Sequence, residues 1–108
     1  MKVEELLNHG FSEISLPEPD REIQGVYIGD LLSWVMGRAQ ADNAWITIMS
    51  NVNVVAVATL ADTACVVLAE GVTLPEDVLS VAKAKGVNVL TTEKPAYEAA
   101  LTLSELGA

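Results

Sequence analysis

The chain has 108 residues, 51% of them hydrophobic, with fifteen acids against six bases and a formal charge of −9. That length makes one domain of ordinary size, 1–108, with enough chain to bury a core. The charge repels phosphate backbones and anionic membrane surfaces, so neither nucleic acid nor a membrane is an expected partner. A single cysteine, Cys65, and a single histidine, His9, exclude an internal disulfide framework and a structural zinc site of the Cys/His type.

The opening "MKVEELLNHG" holds two glutamates and lacks the continuous apolar core of a secretory signal, so the cytoplasm is the expected compartment. Val3, Leu6 and Leu7 share one side, and Gly10 is a natural stop, which predicts an amphipathic helix over 2–9. His9 then complements the carboxyl end of that helix. "SEISLPEPDRE" reads as a loop, with Pro17 and Pro19 inside it. "GVYIGD" (25–30) reads as a short strand ending at Gly29. Asp30 is expected to cap a helix in which Leu31, Leu32, Val35, Met36 and Ala39 repeat at helical spacing.

Residues 43–61, "NAWITIMSNVNVVAVATLA", carry no charge, and nineteen residues are enough to cross a bilayer as a helix. Ser50, Asn51 and Asn53 in the middle argue against that, because a lipid-facing helix would bury all three polar groups at mid-bilayer. The stretch therefore divides. "AWITIM" (44–49) is a β-branched run and reads as a buried strand. Residues 52–61 read as a helix, with Asn51 or Asn53 as cap and Ala56, Ala58 and Ala61 as helix formers. "ACVVLA" (64–69) is a second buried strand.

"LPEDVLSVAKAKG" is a helix opened by Pro75, with Glu76 and Asp77 at its amino end, Lys83 and Lys85 at the other, and Gly86 closing it. "VNVLTT" (87–92) is a strand, and "KPAYEAALTLSEL" a last helix with Pro95 in its first turn. This alternation predicts an α/β domain in three layers: a mostly parallel four-stranded sheet with helices on both faces.

In open α/β sheets ligands sit beyond the carboxyl ends of the strands. That rule selects Gly29, Asp30, Ser50, Asn51, Asn53, Glu70, Gly71, Thr91 and Thr92 as candidate ligand-binding residues, although helix capping and tight turns explain several equally well. No glycine-rich phosphate loop is present, and the chain lacks the lysine or arginine clamp and metal-binding acids of a kinase. Cys65 lies in an apolar run, where an inert buried thiol is the default. No catalytic residue, metal site or cofactor is expected. Trp34, Met36 and Trp45 are candidate interface residues, since a helix apolar on more than one face needs more than one neighbour.

The blocks "GDLLSWVMGRA", "WITIMSNVNVVAVA" and "VVLAEGV", followed by "NVLTTEKPAYEAALTLSELG", resemble the stand-alone members of the DRTGG domain family, over roughly residues 20–107. The resemblance implies a helix between strands 44–49 and 64–69. It also implies a relation to the amino-terminal domain of HPr kinase/phosphorylase, to phosphotransacetylases and to pyrophosphatases containing CBS domains. The name-giving Asp-Arg-Thr-Gly-Gly motif is not intact. Ser50–Asn51 stands where Asp-Arg would fall, and of Ala69–Glu70–Gly71 only Gly71 matches Thr-Gly-Gly.

What the resemblance implies is a non-catalytic regulatory module. It would dimerise or dock onto a redox-enzyme or signalling partner, and hold a small ligand at the strand ends. Encoding of small members beside hydrogenase subunits hints at redox regulation. A nucleotide sensor is the alternative, and an HPr-type serine kinase the least supported reading, because the phosphate-binding domain of that enzyme has no counterpart here.

Overall fold

The computed structural model describes all residues 1–108. A 3-10 helix at Val3–Asn8 is followed by β1 (Ser12–Ser15), β2 (Val26–Ile28), α1 (Leu32–Arg38), β3 (Ala44–Thr47), α2 (Val52–Ala61), β4 (Cys65–Leu68), α3 (Glu76–Ala84), β5 (Val89–Thr91) and α4 (Ala96–Glu105). The first element, expected as an amphipathic helix over 2–9, is a short 3-10 helix whose buried residues, Val3 and Leu6, are three apart and so share one face.

The sheet has five strands, in the order β1-β5-β4-β3-β2. β2 through β5 are parallel, with Tyr27 opposite Trp45, Trp45 opposite Val66 and Val66 opposite Val89. β1 joins β5 antiparallel, with an irregularity between Glu13 and Ser15. The expected four strands are thus five. "SEIS" has no apolar alternation to announce it, and becomes a strand because β5 offers it a free edge.

Every residue of β3 and β4 is buried, as strands covered on both faces must be. Alternate side chains go to opposite faces. Ala44, Ile46, Cys65, Val67 and Leu90 meet Val3, Leu6 and, from α4, Ala99 and Leu103. Trp45, Val66, Leu68 and Val89 meet Val35 of α1, Val54, Val55, Val57 and Ala58 of α2, and Val78 and Ala82 of α3. The layers are therefore α4 with the 3-10 helix, the sheet, and α1–α3.

From β2 to β5 the chain moves one strand at a time in one direction. Right-handed crossovers then place α1, α2 and α3 on one face. A sheet wound in one direction has no point where the strand order reverses, and that point is what opens the usual ligand crevice in α/β folds. No helix is long and apolar enough to cross a membrane.

Two expectations fail at local contacts. Asp30 does not cap α1, whose N-cap is Leu31 with no side-chain bond. Asp30 Oδ1 instead accepts from Thr47 Oγ1 at 2.8 Å and from the Ile48 amide at 3.0 Å, tying β2 to β3. Trp45 is wholly buried and its Nε1 donates to the Gly29 carbonyl at 2.9 Å, so it presents nothing to a partner.

Candidate functional site

At the carboxyl ends of the strands the predicted residues form two groups. Asp30 meets the turn after β3, where Asn51 Oδ1 accepts from the Asn53 amide at 2.9 Å and caps α2. Beyond β4 and β5, Thr91 Oγ1 donates to the Val72 carbonyl at 2.6 Å, and Thr92 Oγ1 donates to the Gly10 carbonyl at 2.9 Å. The amides of Glu70 and Gly71 donate to the carbonyls of Lys94 and Thr92. Gly71 has φ of +73°, a left-handed conformation that favours glycine, and a Cβ there would lie 2.7 Å from Glu93 Oε2, so that carboxylate would have to swing aside. These groups are spent mostly on one another. They line neither of the two hollows in the molecule, which lie between α2 and α3 and at the amino ends of the strands.

The second cluster of predicted residues is on α1. This helix buries only Val35 completely. Leu31 is 56% exposed, Trp34 53% and Met36 49%, and Ile28 at the end of β2 and Ile48 after β3 are exposed as well. The Arg38 guanidinium lies over the Trp34 ring, 3.8 Å from its centroid, and is the cation on this apolar face. β2 beside it is an edge strand, with one row of backbone groups unpaired.

At the amino ends of the strands sits a cluster that the sequence reading did not single out. Arg21 Nη2 contacts Asp42 Oδ1 at 3.0 Å, Asp62 Oδ1 at 2.8 Å and the Asp62 carbonyl at 2.7 Å. Burial pulls the Arg21 pKa down, but the hydrogen bonds to Asp62 and Asp42 outweigh it and hold the guanidinium above its ordinary value. Asn88 joins the same loop to the sheet, accepting from the Glu18 amide and donating to the carbonyls of Glu18 and Ala64. Asp62 takes the left-handed conformation at the end of α2, φ 57°, which aims its carbonyl and carboxylate at Arg21. A loop rich in charge gives no local sign that one arginine will clamp two distant turns.

The DRTGG domain model matches residues 18–106. The chain belongs to the DRTGG domain family. A solved structure with the same fold is that of the CBS and DRTGG domains of the regulatory region of a Clostridium perfringens pyrophosphatase, complexed with its activator, diadenosine tetraphosphate. The two share 13% identity at a TM-score of 0.72, and the match covers 93% of this chain and 44% of that one. No curated protein matches the chain. Within this DRTGG domain the 3-10 helix and β1 lie before the matched segment.

Cys65 is wholly buried in β4, and burial pushes its thiol up to about 12, far from a nucleophile's range. No group of three or more histidine, cysteine or acidic side chains is placed to hold a metal ion.

Proposed function

We propose that this DRTGG domain is a non-catalytic regulatory module that works by self-association through α1 and the open edge of β2. The observation that carries the reading is the exposure of large apolar side chains around α1, Leu31 and Trp34 on one side and Met36 on the other, with Ile28 and Ile48 exposed at the ends of β2 and β3. Isolated exposed leucines are ordinary, whereas a run of large apolar side chains next to an unpaired strand edge is the anatomy of an interface. Two-fold packing of α1 on α1 is self-complementary in charge. It brings Arg38, at the carboxyl end of the helix, toward the second copy's Asp30 at the amino end. The regulatory region in which the structurally similar domain resides supports the same class of role.

Sedimentation of the pure protein tests this. The expected result is a dimer that Trp34→Glu weakens while circular dichroism keeps the helical content unchanged. Because each copy carries a charge of −9, added salt should strengthen the dimer by screening. A monomer at every salt concentration, or a Trp34→Glu variant as dimeric as the parent, overturns the reading.

A second reading, nucleotide sensing, draws on the activator bound to the structurally similar region. It assigns contacts to Gly29, Asp30, Ser50, Asn51, Asn53, Glu70, Gly71, Thr91 and Thr92. Thermal melts with adenine nucleotides separate the two readings. A melting temperature that climbs with nucleotide concentration favours the sensor, and indifference favours assembly.

A further inference from the structure

The two edges of the sheet are not alike. β1 carries the exposed Glu13 and an irregularity in its pairing between Glu13 and Ser15. A charge and a break in register are common means of keeping an edge strand from pairing with another chain. β2 has neither. From Gln24 to Gly29 the chain is uncharged, and Val26–Ile28 runs in even register with β3.

Alternation fixes which backbone groups β2 turns outward. The Gly25 carbonyl accepts from the Ala44 amide at 3.0 Å, and the Gly29 amide donates to the Ile46 carbonyl at 3.2 Å. The backbone groups of Tyr27 therefore point toward β3, and the amides and carbonyls of Val26 and Ile28 point away from it. No bond from a turn or loop uses those outward groups. Ile28 is half exposed, while Val26 packs on the α4 side of the sheet and Tyr27 on the α1 side. α1 lies over β2 and β3, where Val35 and Leu32 share a cluster with Tyr27 and Trp45. As a crossover helix it runs antiparallel to the strands. Its right-handed winding then turns Leu31, Trp34 and Arg38 toward the β2 margin and Met36 toward α2.

We propose that β2 pairs antiparallel with β2 of a second copy, joining the two sheets into one. This pairing rests on the self-association reading and gives it a geometry. A two-fold axis at Tyr27 sets Val26 of each copy opposite the second copy's Ile28, and each such pair exchanges both of its outward hydrogen bonds. The same axis sets Gln24 opposite the second copy's Asp30, so two chains of charge −9 meet at this edge without like charges face to face. Paired strands lie about 4.8 Å apart, which spaces the two α1 axes at roughly 10 Å, the distance at which helices pack. One arrangement thus satisfies the strand edge and covers Leu31 and Trp34. A strand from an unrelated protein would fill the same edge, but only a second copy brings a matching α1. Because β1 is closed to pairing, the assembly ends at the dimer.

Amide exchange at protein concentrations above and below the dissociation constant found by sedimentation tests the pairing. The Val26 and Ile28 amides should be protected in the dimer and exchange about tenfold faster on dilution, while the Tyr27 amide, on the β3 side, changes little. Ile28→Pro removes an outward donor and no bond to β3, so it should weaken the dimer about tenfold and leave the helical content unchanged. Concentration-independent exchange at Val26 and Ile28, an Ile28→Pro variant as dimeric as the parent, or species larger than a dimer overturns the pairing. If Trp34→Glu still dissociates the dimer in those cases, the self-association reading stands without it. A monomer at every concentration overturns both. Should Ile28→Pro fail to fold, exchange in the parent protein decides alone.

Discussion

Trp34 and Trp45 flank one turn of the chain and occupy opposite environments. Trp45 is in β3, second from the sheet's edge, with strands on both sides and helices over both faces, and it is 0% exposed. Trp34 is on α1, which covers the outer margin of the sheet and has α2 as its helical neighbour on one side only. Arg38 is what covers its ring. The same side chain is core in the one place and surface in the other because of how many layers surround its element. A fold of this kind shows its apolar material at the margin of a layer, and there a partner can be received without disturbing the centre.

Truncation should break that symmetry of residue type sharply. Trp45→Ala removes a fully buried indole and leaves a cavity between β3 and the α1–α2 layer, at a cost of about 3–5 kcal/mol in urea unfolding. A loss under about 1 kcal/mol would mean that the centre repacks freely and that the contrast with α1 is false. Next in size is a pH effect confined to the centre. The Cys65 thiol is raised from 9.0 to about 12 by burial, so the folded chain holds that proton more tightly than the unfolded chain. Its contribution is complete below pH 9.0 and is lost as the pH rises from there through about 12. Between those values stability should fall by up to about 1.4 kcal/mol per pH unit more steeply in the parent than in Cys65→Ala. Parallel slopes for the two proteins would show that the thiol reaches solvent. Smallest is Trp34→Ala, which loses an exposed stacking contact and should shift unfolding by no more than about 1 kcal/mol.

The same contrast marks what a reader of the sequence can recover. The strands at 44–49 and 64–69 and the helices opened by Pro75 and Pro95 are legible because their signals are local: β-branched runs, charged first turns and glycine stops. The helix over 52–61 is legible from Asn51, which caps it as expected. β1 is not legible, since its four residues depend on a partner strand far along the chain. Asp30 looks like a cap in the sequence, and only the approach of Thr47 and the Ile48 amide draws it away. Trp34 and Trp45 sit in equally apolar contexts, and the sheet order alone decides which is covered. The hollow at the amino ends of the strands has no local signature at all. Arg21, Thr63 and Lys85 come from three separate connections and meet only when the strands are aligned.

The antiparallel pairing of β1 with β5 has a consequence for how the chain folds. Successive parallel strands close over short spans: the bond from Thr47 to Asp30 crosses 17 residues. The bond from Ser15 Oγ to the Val87 carbonyl crosses 72 residues. Two doublings of span add roughly 1.2 kcal/mol of closure entropy, so local βα units are expected to form first and the β1 edge to dock last. Amide exchange should then show β1 opening ahead of β3 and β4. If the amides of β1 exchange as slowly as those of β4, the edge is built into the folding nucleus instead.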